Sequence, residues 1–197
     1  SKRSRIALVL LASVPLAAIN AGKSSIGLPF DGIFDLGILY PLVLVPLGIV
    51  GATTTFNFLA GFNGLEASEG ILILSSLSLV AFLTGNSWLA IVGLCMVSAL
   101  IGFLFFNWYP AKVFPGDSLT YAVGGLIAIM AILGNFEKIA VFFFIPVIIE
   151  VVLKARGGFV KHSFGKPNKE GELDLKYEKI YSLNHLAIYL MKRAGIK

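Results

Sequence analysis

The chain has 197 residues, 57% hydrophobic and only 14% charged, with a formal net charge of +5. Soluble domains carry about 25% charged residues. A mean hydropathy of +0.87 leaves too little polar surface to cover a globule in water, which excludes a soluble enzyme, a nucleic-acid-binding domain and a secreted toxin. A single cysteine, Cys95, inside an apolar run, and two histidines outside any cluster exclude a disulfide framework and a thiolate or histidine metal site.

Crossing ~30 Å of hydrocarbon takes about 20 helical residues, and lipid leaves only helices or closed barrels able to satisfy the backbone. The apolar runs are not ten-residue alternating strands. The expected class is therefore all-α, a polytopic membrane protein with about six transmembrane helices. In chain order the runs are 6–21, 36–56, 70–84, 88–106, 119–134 and 139–153. Several are short, so tilt or extension into their flanks is expected. Residues 1–21 also have the basic, apolar and small residues of a secretory signal peptide, but five further runs follow, which favours a span. The expected organisation is a transmembrane domain over 1–153, with loops at 57–69 and 107–117. A basic loop or tail follows over 154–197, ending in an amphipathic stretch at 183–191 suited to a membrane surface.

Basic residues set the orientation. If the first residues are cytoplasmic, six crossings place both loops and the tail on the same side. Fourteen of the sixteen Lys and Arg then face the cytoplasm: Lys2, Arg3, Arg5, Lys112 and ten from Lys154 onward; only Lys23 and Lys138 face away. The positive charge thus needs no nucleic acid. It reads as a topology signal and an attraction for anionic lipid or substrate.

Three polar features fall on that side. The first is Thr53-Thr54-Thr55-Phe56-Asn57-Phe58-Leu59-Ala60-Gly61-Phe62-Asn63-Gly64-Leu65-Glu66. Its threonines can bond back to helix carbonyls, Asn63-Gly64 is a turn former, and Gly61 allows close backbone approach. The second is Asn107-Trp108-Tyr109-Pro110-Ala111-Lys112-Val113-Phe114-Pro115-Gly116-Asp117. Here a helix ends at Pro110, and Asp117 either caps the next helix or holds a divalent cation at the membrane boundary, with Asn57 as second oxygen ligand if the loops meet. The third is the tail with Lys154, Arg156, Lys161, His162, Lys166 and Lys169. Most of it is a positive flank, and one or two members could grip a diphosphate.

These two loops resemble the signature loops of the polyprenyl-phosphate N-acetylhexosamine-1-phosphate transferases. Asn57 to Ala67 is similar to the N-x-L-A-G-x-N-G-L-E-A run of the eukaryotic and archaeal dolichyl-phosphate branch, and Asn107 to Asp117 to its N-W-Y-P-[SA]-x-V-F-x-G-D run. The resemblance extends over nearly the whole chain, most weakly after Lys154. It implies a membrane transferase moving N-acetylglucosamine 1-phosphate from UDP-N-acetylglucosamine to a polyprenyl or dolichyl phosphate, with release of UMP. That is the first step of lipid-linked oligosaccharide assembly for N-glycosylation. It also implies Mg²⁺, or Mn²⁺ in its place, held by Asp117 and Asn57. Arg5 would touch the phosphates, Gly61, Asn63 and Phe114 would hold the uridine, and Glu66, Lys161 and His162 would join the substrate site, the last two at the sugar. Expected partners are the two substrates, the bilayer and a second copy in a homodimer. The expected setting is an archaeal plasma membrane rather than endoplasmic reticulum, with the site facing the cytoplasm.

The chain also departs from the family pattern. It has no Asp-Asp pair, which the family carries just before the span that begins here near Ile6. Nothing matches the family's three earlier spans or its last. The expectation is a C-terminal fragment of a longer enzyme, or a half-length protein that pairs with another chain. The tail runs Lys161-His162-Ser163-Phe164-Gly165-Lys166 rather than alternating Arg and His, which fits an archaeal sequence. Bacterial branches, acting on other UDP-sugars, usually carry acidic residues in place of Ala60 and Asn63. A transporter with a polar midplane site is the alternative from another class.

Overall fold

The computed structural model describes residues 2–20, 25–28, 32–168 and 172–195. The expected end of the first span at Ala21, and Lys23, Lys169 and Lys197 among the basic residues, lie outside these. Helix α1 covers Lys2–Ile19 and so takes in the basic residues ahead of the first apolar run. An antiparallel ribbon of β1 (Ser25–Leu28) and β2 (Gly32–Asp35) follows, with Ser25 opposite Asp35.

The second span opens as a π-helical turn, Tyr40–Leu44, continues as α2 (Val45–Phe56) and closes in a 3₁₀ turn, Asn57–Leu59. Pro41 and Pro46 account for the irregular start, since neither can donate to a carbonyl one turn back. Helix α3 is Leu65–Leu83, α4 Ser87–Asn107 and α5 Asp117–Gly134. Helix α3 begins five residues earlier than its apolar run, because Gly64, at φ +80°, turns the chain directly into it. Glu66 and Glu69 are therefore helical rather than part of a loop.

Four helical stretches are long and apolar enough to cross a membrane: Tyr40–Leu59, Leu65–Leu83, Ser87–Asn107 and Asp117–Gly134. The apolar part of α1, Ser4–Ile19, is shorter. The run expected at 139–153 is divided into α6 (Glu137–Phe143) and α7 (Ile145–Arg156). Pro146 explains the break: in the first turn of α7 its missing N–H is harmless, but it cannot extend the hydrogen-bond ladder of α6. Beyond α7 lie a two-residue ribbon of β3 (Lys166–Pro167) with β4 (Leu173–Asp174), and α8 (Leu183–Arg193). The protein is an all-α polytopic membrane protein carrying two small ribbons.

Packing pairs α3 with α4, α2 with α5, and α1 with α2. Phe56, Leu74, Leu77, Leu89, Leu100, Ile127 and Met130 form the fully buried centre. Lipid is as apolar as leucine, so close fit rather than expulsion from water holds such helices together. Two contacts show how close that fit is. A Cβ on Gly124 would lie 2.5 Å from the Ala52 carbonyl oxygen, and one on Gly93 would lie 2.2 Å from Ser78 Oγ. Leu72, Leu79, Leu83 and Phe105 point outward, as lipid-facing residues must.

Candidate active site

Three helices meet at one end of the bundle. Thr53, Thr54 and Thr55, on the last turns of α2, return their hydroxyls to Ile49, Val50 and Gly51 at 2.5, 2.6 and 2.7 Å, the structural role open to them from sequence. That leaves Asn57 as the first polar side chain able to reach away from the helix. Its Nδ2 donates to Asp117 Oδ1 at 3.1 Å. The other carboxylate oxygen, Oδ2, receives Nη1 of Arg5 in an ion pair. Asp117 does not cap α5: Gly116 occupies the cap position and Asp117 is the first helical residue, where the helix dipole favours a negative charge. Its carboxylate faces across the bundle instead.

The two signature loops are stitched together by Asn107, a fully buried residue. Its Oδ1 accepts from the Gly64 N–H at 3.0 Å, and its Nδ2 donates to the Val113 carbonyl at 2.8 Å. Lys112 and Val113 donate back to Phe106, at 2.8 and 3.2 Å. This fixes the loop up to Val113, immediately before Phe114, which is 70% exposed and open to stacking. Asn63 is half-buried in the turn that enters α3. Glu66 is buried in the first turn of α3, and both carboxyl oxygens of Glu69 are buried with no hydrogen-bond partner among the described residues.

The tail lies against the first loop. Phe58 stacks obliquely on Phe159 at 5.9 Å and carries the Lys154 ammonium over its face at 5.3 Å. Lys161 and His162, expected at the sugar, lie on the tail among aromatic rings. The Lys161 ammonium lies over Tyr177 and Tyr181, at 4.9 and 6.0 Å. His162 is exposed beside Phe164. Among the described residues neither makes a hydrogen bond or ion pair with the Arg5–Asn57–Asp117 group.

One cleft is lined by members of that group, and a second reaches Thr55, two residues before Asn57. The first, of about 320 Å³, is lined by Arg5, Leu8, Val9, Asp117, Ser118 and Tyr121. The other, about 380 Å³ and almost wholly apolar, runs between α2, α5, α6 and α7, from Tyr40 and Glu137 past Gly48 to Thr55. A divalent cation at Asp117 would take the place of the Asn57 Nδ2 and Arg5 contacts, and would find one carboxylate and, with the Asn57 amide turned over, one amide oxygen, both hard donors. No group of three or more His, Cys, Asp or Glu able to hold a metal exists among the described residues. This set suits a Mg²⁺ that keeps waters and takes other ligands from a phosphate substrate, and does not suit a closed protein cage.

Residues 1–135 match the sequence profile described as glycosyl transferase family 4. The chain belongs to that family. The matched residues include Arg5, Asn57, Gly61, Asn63, Glu66, Phe114 and Asp117, whereas α6, α7 and the tail lie beyond them. Over 186 residues this family member is 38% identical to a Saccharolobus solfataricus protein provisionally named UDP-N-acetylglucosamine–dolichyl-phosphate N-acetylglucosaminephosphotransferase, covering 93% of this chain and 58% of that protein. A Sulfolobus acidocaldarius protein with the same provisional name is 36% identical over 194 residues, 98% of this chain and 59% of that one. The Dictyostelium discoideum protein of that name is 33% identical over 180 residues, covering 75% of this chain and 44% of its own length. The chain thus spans well under two thirds of these relatives.

Three buried polar residues outside the expected set make hydrogen bonds in the loops and the tail: Asn107, Glu150 and Asn184. Asn107 and Glu150 had a sequence signal, each a polar side chain at or near the end of an apolar run. The signal for Asn184 is fainter, a serine two residues ahead of it at the start of the amphipathic stretch.

Proposed function

We propose that the chain forms part of an integral-membrane transferase that moves N-acetylglucosamine 1-phosphate from UDP-N-acetylglucosamine to a polyprenyl phosphate of the dolichyl type, releasing UMP. The observation that carries this reading is the convergence of Arg5, Asn57 and Asp117, from α1, the end of α2 and the start of α5, at a cleft that Arg5 and Asp117 line, with a longer apolar cleft reaching Thr55 two residues before Asn57. The names of the relatives support the donor and the acceptor.

Phosphoryl transfer asks a protein mainly for positioning and charge neutralisation. An oxygen of the acceptor phosphate bonds to the β-phosphorus as the bond from that phosphorus to the oxygen of UMP breaks, and UMP leaves with the electron pair. The acceptor is already an anion, so no strong base is required. Arg5 supplies a guanidinium for the diphosphate. It is 54% exposed and its Asp117 partner 42%, and open ion pairs are worth ~0–1 kcal/mol, so incoming phosphates can compete for it. Asp117 and the amide oxygen of Asn57 would hold Mg²⁺, or Mn²⁺, which when bound neutralises the charge of the diphosphate. Phe114 offers a face for uracil, and Gly61 and Asn63 would hold the same nucleotide. The apolar cleft would hold the first isoprenes of the acceptor, with its phosphate at the Thr55 end.

The excess of basic residues on this end supports a cytoplasmic site, and the archaeal relatives favour an archaeal plasma membrane. A transporter is less well supported: the break at Phe144 is flanked by Phe142, Phe143, Ile145 and Pro146 and carries no charge. The test is incubation in lipid of the enzyme that contains this chain, including the paired aspartates that the resemblance implies, with UDP-N-acetylglucosamine, a polyprenyl phosphate and Mg²⁺. Matched formation of UMP and a lipid-linked diphosphate sugar is expected; no UMP with either dolichyl or undecaprenyl phosphate contradicts the reading.

A further inference from the structure

Glu150 is fully buried on α7, and an unpartnered carboxylate there would be costly. Its partners come from the tail. Oε2 accepts the Leu183 N–H at 2.7 Å, Oε1 the Ser163 hydroxyl at 3.4 Å, and the Lys154 ammonium stands 3.7 Å away, one turn along. Leu183 is the first residue of α8, so the carboxylate meets an orphan donor at the positive end of a helix. Ser182, fully buried, caps the same end by accepting from the Asn184 N–H at 3.2 Å. The backbone of Asn184 is thereby fixed from two sides.

Its side chain, 4% exposed, reaches back 124 residues in sequence, where Nδ2 donates to the Ala60 carbonyl at 3.1 Å. Ala60 lies in the loop that starts at Asn57 and ends at Gly64. The next residue, Gly61, faces the same amide: a Cβ there would lie 2.0 Å from Asn184 Nδ2 and 3.0 Å from its Cγ. A side chain at 61 would therefore push Asn184 off Ala60. The resemblance assigns Gly61 to the nucleotide. The geometry supplies a second reason for glycine, inside the protein.

We propose that Asn184, anchored by Glu150 and Ser182, is a positioning residue for the loop carrying Asn57 and Asn63, and that Gly61 is glycine because Asn184 fills the space beside it. The tail helix is then part of the nucleotide site without touching the nucleotide. The functional consequence rests on the transferase reading; the structural link does not.

The experiment compares wild type, Asn184→Asp, Asn184→Ala, Gly61→Ala and the Gly61→Ala/Asn184→Ala pair in lipid. Asn184→Asp keeps the volume but removes the donor. Two readouts are taken: amide hydrogen exchange over residues 60–64 without substrate, and the kinetics of UMP release. A buried hydrogen bond of ordinary strength corresponds to roughly fivefold. Each single variant should speed exchange and raise KM for UDP-N-acetylglucosamine by about that factor, with kcat changed less than about twofold. The double variant should be no worse than the more damaged single, because both changes break one bond. The inference is overturned if Asn184→Asp exchanges and turns over like wild type, or if the two single effects multiply in the pair. Should the wild-type enzyme that contains this chain and the paired aspartates release no UMP, the transferase reading fails while exchange still decides the link.

Discussion

Asn57 and Asp117, 60 residues apart in sequence, meet at 3.1 Å across the α2–α5 interface. The contact exists because Gly124 lets α5 approach the Ala52 backbone two turns along the bundle, where any side chain would intervene. Two polar groups from different helices face each other at the edge of an apolar bundle, and Arg5 closes the group. Asp117→Asn keeps the shape and removes the charge. It should lower transfer by about 10² to 10³, the range for removing one charge-stabilising group from an active site, with thermal unfolding in detergent unchanged. Steady-state UMP release measures this, and activity within threefold of wild type would take Asp117 out of the site.

Phe114 is exposed while Val113 before it is tethered through Asn107, so removing its ring should cost little stability. Base–aromatic stacking is worth ~1–3 kcal/mol. Phe114→Ala should accordingly raise KM for UDP-N-acetylglucosamine by roughly five- to hundredfold, and Phe114→Tyr should restore it. An unchanged KM would exclude stacking on uracil.

Asn107 makes the complementary prediction, a change in structure rather than in contact with substrate. Asn107→Ala would strand the buried Gly64 N–H and release the Val113 carbonyl, at about 1–3 kcal/mol for each group left unsatisfied. Amide exchange should accelerate at Gly64 and around Val113 together. Acceleration in one loop alone would mean that Asn107 does not couple them.

The helical membrane class and the two loops were legible because they rest on local features: long apolar runs, an Asn-Gly turn and a carboxylate after a glycine. The division at Phe144 was less so, since apolar residues continue through it and only Pro146 marks the stop. The early start of α3 depends on Gly64 adopting a positive φ, which overrides the polarity of Glu66 and Glu69. The tail was the least legible part. Its structure depends on non-local partners, Glu150 with Leu183 and Asn184 with Ala60, that no short window of sequence contains. Lys161 is another instance: its ammonium lies over the rings of Tyr177 and Tyr181, partners well beyond any local window.

The same tail should respond to pH. His185 is almost fully buried, with Nδ1 accepting the Tyr181 N–H at 3.3 Å. Burial pulls its pKa below the ordinary 6.5; the Phe164 and His162 carbonyls and the Glu150 carboxylate pull upward, and Lys154 pushes down. Tyr177 and Tyr181 complete its titratable surroundings. The unfolded tail then binds the proton more readily than the folded one. Tail stability should be complete above about pH 6.5 and decline below it, by no more than ~1.4 kcal/mol per pH unit. Exchange protection of α8, corrected for intrinsic rates, should fall between pH 7.5 and 5.5, and His185→Gln should remove most of that dependence. Equal dependence in the variant would assign the effect to another group.

The central claim is that phosphorus, not only sugar, moves to the lipid. UDP-N-acetylglucosamine labelled in its β-phosphate separates the two directly. With Mg²⁺ and a polyprenyl phosphate in lipid, label should pass into the organic phase in step with UMP release, and Asp117→Asn should stop both. Label retained in UDP while the sugar alone reaches the lipid would contradict the account.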